Sequence, residues 1–355
     1  MHILSSSFKL FGLSFLFIAF FGTTSNAQTL SISSNGQTGT SGTNWSTTGS
    51  NPVIITATNT TDINTSVIEG YLNQGLSVEI RNTASPGKIQ IEAPITKSAG
   101  GDATLTIRAN GRVFVWNSDH ITSTSGKLNV VLWSDYNNDG DGGVSLTGNI
   151  ITNGGHVWLG GSSSNGGSYT WNGLTVGDGP SVGASGANFN ALDLYSNVTT
   201  SGGDFLAWAG DGFSGGVDGI ASDGAGDVVN TGSGDIILIT DRVDGDCSTA
   251  IFFETKGHFY LVPNDDAFKE TFDWNPTVRT DYIDFEGNWN YMAIRNPELH
   301  IGLTLGRYDG MTISAGTPVV QGNTSGVTIT KPITTGGLMT IYGAPIAINA
   351  NICRT

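Results

Sequence analysis

The stretch Ile151-Thr152-Asn153-Gly154-Gly155-His156-Val157-Trp158-Leu159 joins an Ile-Thr pair, a glycine-ended turn and a strand of alternating apolar residues. The same phrase returns along the chain at 95–107, 121–132, 198–207 and 333–341, with looser copies at 229–238 and 253–261. One copy cannot bury its apolar edge alone, because it is a single small unit that needs neighbours. The recurrence therefore predicts a solenoid.

Apolar residues fall two and four positions after the last glycine of the turn, as Val157 and Leu159 do after Gly155. Because a strand alternates its side chains between two faces, these positions should point into the core. No window shows a helical period with capping residues, so turns alone must join the strands. Parallel strands linked in this way coil as a single-stranded helix. We predict an all-β, right-handed parallel β-helix; an antiparallel sandwich is the alternative, since it also has short strands between turns.

The spacing of the repeat sets the domain organisation. Ile95 and Ile121 are 26 residues apart, and Ile121 and Ile151 are 30 apart, which fits one coil each. The interval of 47 from Ile151 to Val198 leaves room for an extra coil or a loop through 160–186. The expected units are a signal peptide at 1–27, an N-terminal β region and cap at 28–90, β-helix repeats at 91–261, an irregular insertion at 262–300 and truncated repeats at 301–355.

The first 27 residues have the pattern of a secretory signal. Lys9 gives a weakly basic start, Leu10–Phe21 is mostly apolar, and Ser25-Asn26-Ala27 forms a small-residue cleavage site before Gln28. The apolar segment is shorter than the roughly 20 residues of a membrane-spanning helix. We therefore expect a secreted or outer-surface protein, cleaved between Ala27 and Gln28, with no transmembrane segment in the mature chain.

The composition narrows the range of partners. The chain carries 15 basic and 30 acidic residues, a formal net charge of −15, which argues against nucleic acid or anionic membranes as partners. Glycine reaches 51 of 355 residues, yet 38% of the chain is apolar and arranged in alternation, which argues against a disordered linker. Only Cys247 and Cys353 are present, so no cysteine framework is expected.

Several segments of the chain carry a family resemblance: Leu128–Asp135, Gly142–Val144, Ile151–Gly161, Gly302–Gly306, Ile333–Gly337 and Ile341–Gly343. They resemble the repeats of filamentous-haemagglutinin-like bacterial surface proteins. The resemblance implies a β-helical shaft with a surface or adhesive role and no catalytic residues. It departs from the family near the N-terminus, where Asn51-Pro52-Val53 is the only counterpart of the family's Asn-Pro-Asn motifs. The last residues read as the opening of another coil, so we expect the protein to continue into further repeats.

One loop matches the first half of an oxygen-rich calcium loop. Its candidate ligands alternate along the chain and precede or follow a sharp glycine turn: Asp135, Asn137, Asp139 and Asp141. The twelfth position is Leu146, where such loops have a bidentate Glu. The alternative is a solvated corner, in which Asn, Asp and Gly serve the backbone.

Aromatic residues occupy odd positions after the turn glycine, on the face opposite the core. They are Trp133, Trp158, Trp208, Tyr260 and Tyr342. An exposed row of such rings offers a surface for stacking sugars or contacting proteins. The alternative is a second small core covered by loops or by the 262–300 segment.

These features predict a non-catalytic, adhesin-like β-helix that acts as a shaft or as a binding surface for glycans or cell-surface proteins. The alternative is a polysaccharide-active enzyme, a lyase or glycoside hydrolase, on the same scaffold. Hydrolysis needs two carboxylates flanking a cleft. The candidates are Asp265, Asp266, Asp281, Asp284 and Glu286 for hydrolysis, and Asp235, Asp241, Asp244 and Asp246 for a calcium-dependent lyase. A spacer that binds nothing is the third possibility.

Overall fold

A computed structural model describes residues 28–116, 118–183, 190–210, 220–222, 227–240, 243–245 and 252–262, together with the separate strands that follow Val262. The expected signal peptide at 1–27 lies outside these residues. Within the described part of the chain, no helix is long and apolar enough to cross a membrane.

The described residues form one helix, α1 (Thr65–Leu72), and 34 strands. The N-terminal strands are β1 (Gln28–Ser33), β2 (Ser41–Gly42), β3 (Trp45–Thr48), β4 (Val53–Ala57), β5 (Thr61–Asn64), β6 (Val78–Asn82) and β7 (Gly87–Ile91). The next are β8 (Ile95–Lys97), β9 (Ala103–Ala109), β10 (Val113–Val115), β11 (Ile121–Ser123), β12 (Leu128–Trp133), β13 (Val144–Leu146), β14 (Ile150–Ile151), β15 (Val157–Gly160), β16 (Ser168–Trp171), β17 (Leu174–Gly177), β18 (Leu192–Leu194), β19 (Val198–Thr199) and β20 (Phe205–Trp208). Then come β21 (Ile220–Ser222), β22 (Val228–Gly232), β23 (Ile236–Ile239), β24 (Val243–Gly245), β25 (Phe252–Thr255), β26 (His258–Val262) and β27 (Thr277–Asp284). The last are β28 (Leu303–Leu305), β29 (Met311–Gln321), β30 (Val327–Ile329), β31 (Ile333–Thr335), β32 (Thr340–Tyr342), β33 (Ile346–Ile348) and β34 (Ile352–Arg354).

Parallel pairing between successive coils builds three ladders. The first ladder runs β5, β1, β7, β10, β13, β18, β21, β24. The short-strand ladder runs β8, β11, β14, β19, β22, β25, and the long-strand ladder runs β4, β6, β9, β12, β15, β20, β23, β26. Each regular coil gives one strand to each ladder, in a solenoid of about seven turns. The predicted parallel β-helix is confirmed, and the antiparallel sandwich is excluded.

The core is a stack of aliphatic and aromatic side chains inside the coil. In the long-strand ladder, Leu105, Val130, Val157, Phe205 and Ile236 pair in register, and each is fully buried. Val157 is two residues after its glycine, whereas Val130 is four after Gly126, so the glycines of these coils are offset by two. A shift of two preserves the face of every side chain. The predicted inward positions are therefore confirmed from Ala103 to Leu238, although the glycines of the repeat do not align; those of the last copies lie outside the described side chains.

The short-strand ladder corrects one copy of the repeat. Ile150, not Ile151, pairs with Ile121, and Ile151 pairs with Thr122 on the outer face. Ile151 is accordingly 41% exposed, whereas Ile150 is fully buried. A slip of one residue exchanges the two faces. Thr152 therefore points inward, whereas Thr96, Thr122 and Thr199 are partly exposed.

A column of buried polar side chains lines the turn that follows the short strands. Its members, one per coil, are Lys97, Ser123, Thr152, Thr200, Thr231 and Thr255. Thr152 Oγ1 donates to the carbonyl oxygen of Gly155 at 2.6 Å, and Thr231 Oγ1 donates to that of Gly234 at 2.5 Å. Each hydroxyl satisfies a carbonyl that the turn would otherwise leave buried and unpaired. The column thus fixes the corner at the same place in successive coils.

Lys97 begins this column with a longer side chain. It is fully buried, and its Nζ donates to the carbonyl oxygens of Ala99, at 3.0 Å, and Ser125. Burial lowers the pKa of its ammonium group, and nearby Asp102 opposes that shift. The carbonyls of two coils therefore take the role that water has around an exposed lysine.

The N-terminal region both caps the solenoid and supplies its first strands. Strand β3 pairs antiparallel with β4, whose other edge pairs parallel with β6, so this hairpin covers the starting edge of the long-strand ladder. Helix α1 is not predicted from the sequence pattern; it begins after Asn64, whose side chain accepts the backbone N–H of Ser66 at 2.9 Å. Its buried residues include Ile68 and Leu72, which join the core of the coil.

Part of the segment expected to be an irregular insertion belongs to the ladders. Strand β27 pairs in parallel with β25, β26 and β29. The remaining residues between 263 and 300 lie outside the described residues. At least Thr277–Asp284 therefore continues the stacking instead of interrupting it.

The hydroxyl column makes a testable contribution to stability. Thr152→Val keeps the shape of the side chain but removes the donor to the Gly155 carbonyl, so the free energy of unfolding should fall by about 1 to 2 kcal/mol. Thr122→Val, on the outer face of the neighbouring coil, should change it by less than about 0.5 kcal/mol. Urea unfolding monitored by circular dichroism measures both, and equal effects would contradict a role for the buried hydroxyl.

Candidate functional site

The predicted row of outward tryptophans lies on the expected face but is not exposed. Trp133, Trp158 and Trp208 lie opposite the solenoid core and are 3%, 0% and 1% exposed. They belong to a second apolar cluster, the outer core: Val131, Trp133, Trp158, Trp171, Leu174, Val176, Leu206, Trp208, Ile237 and Ile239. The prediction of a stacking surface is therefore wrong for these three residues. The side chains of Tyr260 and Tyr342 lie outside the described residues.

An antiparallel hairpin, β16 and β17, covers the outer core. Asn172 and Gly173 form its two-residue turn, with φ of 48° and 77°. Asn-Gly is the pair that such a turn favours, because both positions need positive φ. The hairpin leaves the coil and returns to it at one point, where Gly161 and Gly179 exchange backbone hydrogen bonds of 2.9 and 3.3 Å. The long interval in the repeat is thus a hairpin insertion, and it provides the cover expected from loops.

Edge contacts and hydrogen bonds hold the hairpin to the coil. The Tyr169 ring meets Trp208 edge-on at 6.5 Å between centroids. Asn172 Nδ2 donates to Asp204 Oδ2 at 2.6 Å, and His156 Nδ1 accepts the backbone N–H of Asp204 at 2.9 Å. Burial lowers the pKa of His156, and the Asp204 carboxylate opposes this shift. His156 therefore joins adjacent coils as a neutral acceptor, a structural role.

Removal of an outer-core ring should destabilise the protein. Trp158→Ala should lower the free energy of unfolding by about 3 to 5 kcal/mol, because it empties a fully buried site. Trp116→Ala is the matched control: this ring is 42% exposed and should cost less than about 1 kcal/mol. Chemical denaturation measures both. A Trp158→Ala protein as stable as the parent would contradict the assignment of this ring to a packed outer core.

The candidate calcium loop is organised by its own hydrogen bonds. Asp135 Oδ1 accepts the backbone N–H groups of Asp139, at 3.0 Å, and Gly140, at 3.3 Å. Asp139 Oδ2 accepts from Asn137 Nδ2 at 2.6 Å and from Ser85 Oγ at 2.7 Å, and Asp139 Oδ1 accepts the Asp141 N–H. These contacts match the alternative interpretation, a corner built for the backbone. No group of three or more metal-ligating His, Cys, Asp or Glu side chains occurs among the described residues, and calcium stays a prediction.

Asp135 is the unusual carboxyl of this loop. It is fully buried, and its Oδ2 has no hydrogen-bond partner in the described part of the chain. Burial, reinforced by the negative charge of Asp139, raises the pKa of Asp135 to about 7. The carboxyl is therefore protonated below neutral pH.

This raised pKa predicts a pH-dependent stability. An unfolded Asp has a pKa of about 3.9, so between about pH 4 and pH 7 the unfolded chain loses this proton while the folded chain keeps it. The stability that Asp135 contributes should therefore fall as pH rises through this window. Asp135→Asn has no proton to lose, and from about pH 5 to about pH 7.5 it should gain on the order of 1 to 3 kcal/mol relative to the parent protein.

Urea unfolding of both proteins at the two pH values, with chelator present to remove divalent cations, measures this difference. Asp119→Asn serves as the control for a general change of charge, since Asp119 lies outside the loop. A difference that does not change with pH would contradict the raised pKa.

The hairpin leaves part of the outer face open, and a groove of about 470 Å³ forms beside it. Its floor is the outer face of β6 and β9, and one wall is the hairpin. The residues that line it are Asn51, Pro52, Ser77, Val78, Glu79, Arg81, Thr104, Thr106, Arg108, Trp133, Tyr136, Gly166, Ser168, Gly173, Leu174 and Thr175. The lining is rich in hydroxyl groups, which suit the hydroxyls of a sugar.

Two arginines and a glutamate form the charged part of the groove. Arg81 contacts Glu79 through both Nε and Nη2, each at 2.8 Å. Arg108 pairs in register with Arg81, and its Nε lies 3.1 Å from Glu79 Oε1. Two cations therefore face one anion. In the sequence, Glu79 and Arg81 are two residues apart on one strand, which places both on its outer face. The sequence does not show that Arg108 lies beside them, because that contact depends on the register between β6 and β9.

An aromatic platform fixes the position of Arg108. Its guanidinium carbon lies 4.0 Å from the centroid of the Tyr136 ring and 5.7 Å from that of Trp133. Such cation–π contacts orient an arginine without using its hydrogen-bond donors. Trp133 is held in turn by a hydrogen bond of 2.8 Å from its Nε1 to Ser162 Oγ. The charged group therefore stands on a rigid, buried base.

No protein-family model, no curated protein and no solved structure matches this chain. The groove and its charges are therefore the basis for a functional assignment.

Proposed function

We propose that this protein is a non-catalytic, adhesin-like β-solenoid that binds glycans in the groove beside the hairpin. The observation that carries the proposal is the groove itself: an open site on a rigid parallel ladder, lined by serine and threonine hydroxyls with a buried aromatic base. A continuous sheet face with a shaped depression suits binding of an extended polymer. The ladder that carries the groove is also part of the shaft of the β-helix, so one element would serve both support and binding.

The groove chemistry favours binding over turnover. Glu79 is the carboxylate of the described lining, and both of its oxygens accept hydrogen bonds from Arg81. Both oxygens of this carboxylate are already engaged by arginine side chains, so neither is directed at the position of a bound sugar. Hydrolysis would also require a second carboxylate across the site. The enzyme alternative would need that group from Asp265, Asp266, Asp281, Asp284 or Glu286, whose side chains lie outside the described residues.

Location and family belong to the same proposal. The apolar N-terminal segment supports export, and the repeat segments support a filamentous-haemagglutinin-like surface protein. A cell-surface position would present the groove to polysaccharides of a host or of a neighbouring cell. Calcium in the Asp135–Asp141 loop would be a structural ion in this proposal, because the loop lies at a corner of the coil.

A blocking substitution tests whether glycans bind in the groove. Thr106→Trp places a large ring on its floor and should abolish saturable binding on a glycan array, while the fold is retained because Thr106 faces outward. The matched control is Gln90→Trp, an outward position on the first ladder, which should bind as the parent protein does. Bound glycans should remain intact in a reducing-sugar assay. Equal binding by both variants, or turnover of a bound glycan, would overturn the proposal.

A further inference from the structure

We infer that the ligand of the groove is an acidic polysaccharide, bound through the carboxylates of its uronic-acid units. This inference rests on the proposed function and adds the chemical class of the glycan. It is carried by the charged trio of Arg81, Arg108 and Glu79. A groove for neutral sugars would gain nothing from an excess of positive charge.

The charge of the groove is opposite to that of the protein. Arg81 and Arg108 outnumber Glu79, so the described lining carries a net charge of +1, whereas the whole chain carries −15. The side chains of these three residues are between 13% and 29% exposed, so solvent screens the site only partly. An anionic group entering this groove meets attraction here and repulsion over most of the remaining surface.

The two terminal donors of Arg108, Nη1 and Nη2, are available to a ligand, whereas Nε is buried. Its Nε faces Glu79 at 3.1 Å but makes no hydrogen bond, and its Nη1 and Nη2 have no protein acceptor among the described residues. Two parallel N–H donors of a guanidinium match the two oxygens of a carboxylate. Stacking on Tyr136 holds the guanidinium plane in place before a ligand arrives. The arginine is thus preorganised, and its terminal nitrogens can bind a second anion in addition to Glu79.

The hydroxyl groups around the trio suit the rest of a sugar ring. Thr104 and Thr106 lie beside Arg108 on the outer face of β9, and Ser77, just before β6, accepts the backbone N–H of Thr104 through its Oγ at 3.0 Å. Thr175 and Ser168 extend from the hairpin side. A uronic-acid unit presents one carboxylate and several hydroxyls, and this lining offers partners to both. A free phosphate or sulfate ion would use the arginines but leave no role for so many hydroxyls.

Calorimetric titration with oligogalacturonate and with its methyl ester of equal length tests the inference. The ester has the same sugar backbone without the charge. The parent protein should bind the ester about tenfold more weakly or worse, because a charge-assisted bidentate contact is lost. Binding of the acid should also weaken at high ionic strength.

Variants of the trio locate the contact. Arg108→Gln should reduce affinity for the acid about tenfold or more, while Arg112→Gln should leave it unchanged; Arg112 also lies over a ring, that of Phe114, but outside the groove. Glu79→Gln removes the one anion and should tighten binding of the acid severalfold. This gain in affinity tests the inference even if Arg108→Gln fails to fold.

The outcomes separate the two proposals. Equal affinity for acid and ester, with Thr106→Trp still blocking, would overturn the acidic ligand and leave glycan binding intact. Loss of the Thr106→Trp effect would overturn the groove as the site altogether. Free galacturonate binding as tightly as the oligomer would identify a small acid and not a polysaccharide. A Glu79→Gln protein that binds more weakly would also contradict the inference.

Discussion

Parallel hydrogen bonding between successive coils is the constraint on which the structure depends. Because Val130 is bound in register to Leu105 on one side and to Val157 on the other, every side chain along these strands belongs to a column. Columns that point inward must be apolar or must satisfy buried carbonyls, as the hydroxyls of Thr152 and Thr231 do. Columns that point outward do not have this constraint and can vary in sequence. The residues with which a solenoid binds its ligands therefore belong to these columns.

The outer face of the long-strand ladder is divided by chemistry. In the coils from β12 to β23 its columns are apolar, and the hairpin buries them as a second core. In β6 and β9 the same columns hold charged and hydroxyl side chains, and the face stays open. The groove lies where these two kinds of surface meet. Its aromatic base, Trp133, belongs to the first kind, and the arginine stacked above it belongs to the second.

The sequence was sufficient for the fold because a period of two is robust. Offsets of two between coils, as between Val130 and Val157, do not change which face is buried, so inward residues were predicted correctly from an offset alignment. An offset of one residue does exchange the faces. For this reason the sequence pattern wrongly places Ile151 in the core, where the structure has Ile150. Helix α1 was missed because it is only eight residues long and depends on its docking to the coil more than on its own periodicity.

The site was harder to predict, for a physical reason. Alternation showed that Trp133, Trp158 and Trp208 face away from the core, but a strand pattern carries no information about what packs on its far side. The Asn172-Gly173 turn, flanked by alternating aromatic and aliphatic residues, was the available signal for that cover. The groove itself depends on register between β6 and β9, a contact between residues 27 positions apart such as Arg81 and Arg108.

The neck formed by Gly161 and Gly179 has an evolutionary consequence. The chain leaves the coil and returns to it at this backbone pair. The length of the segment between the two glycines therefore does not affect how the coils pair with each other. Natural variation in the length and composition of this hairpin insertion would change the wall of the groove, while the strand pairing of the β-helix stays the same. Ligand recognition and fold would then evolve at separate rates within one lineage. Proteins that share this β-helix would differ most in the ligand that they bind.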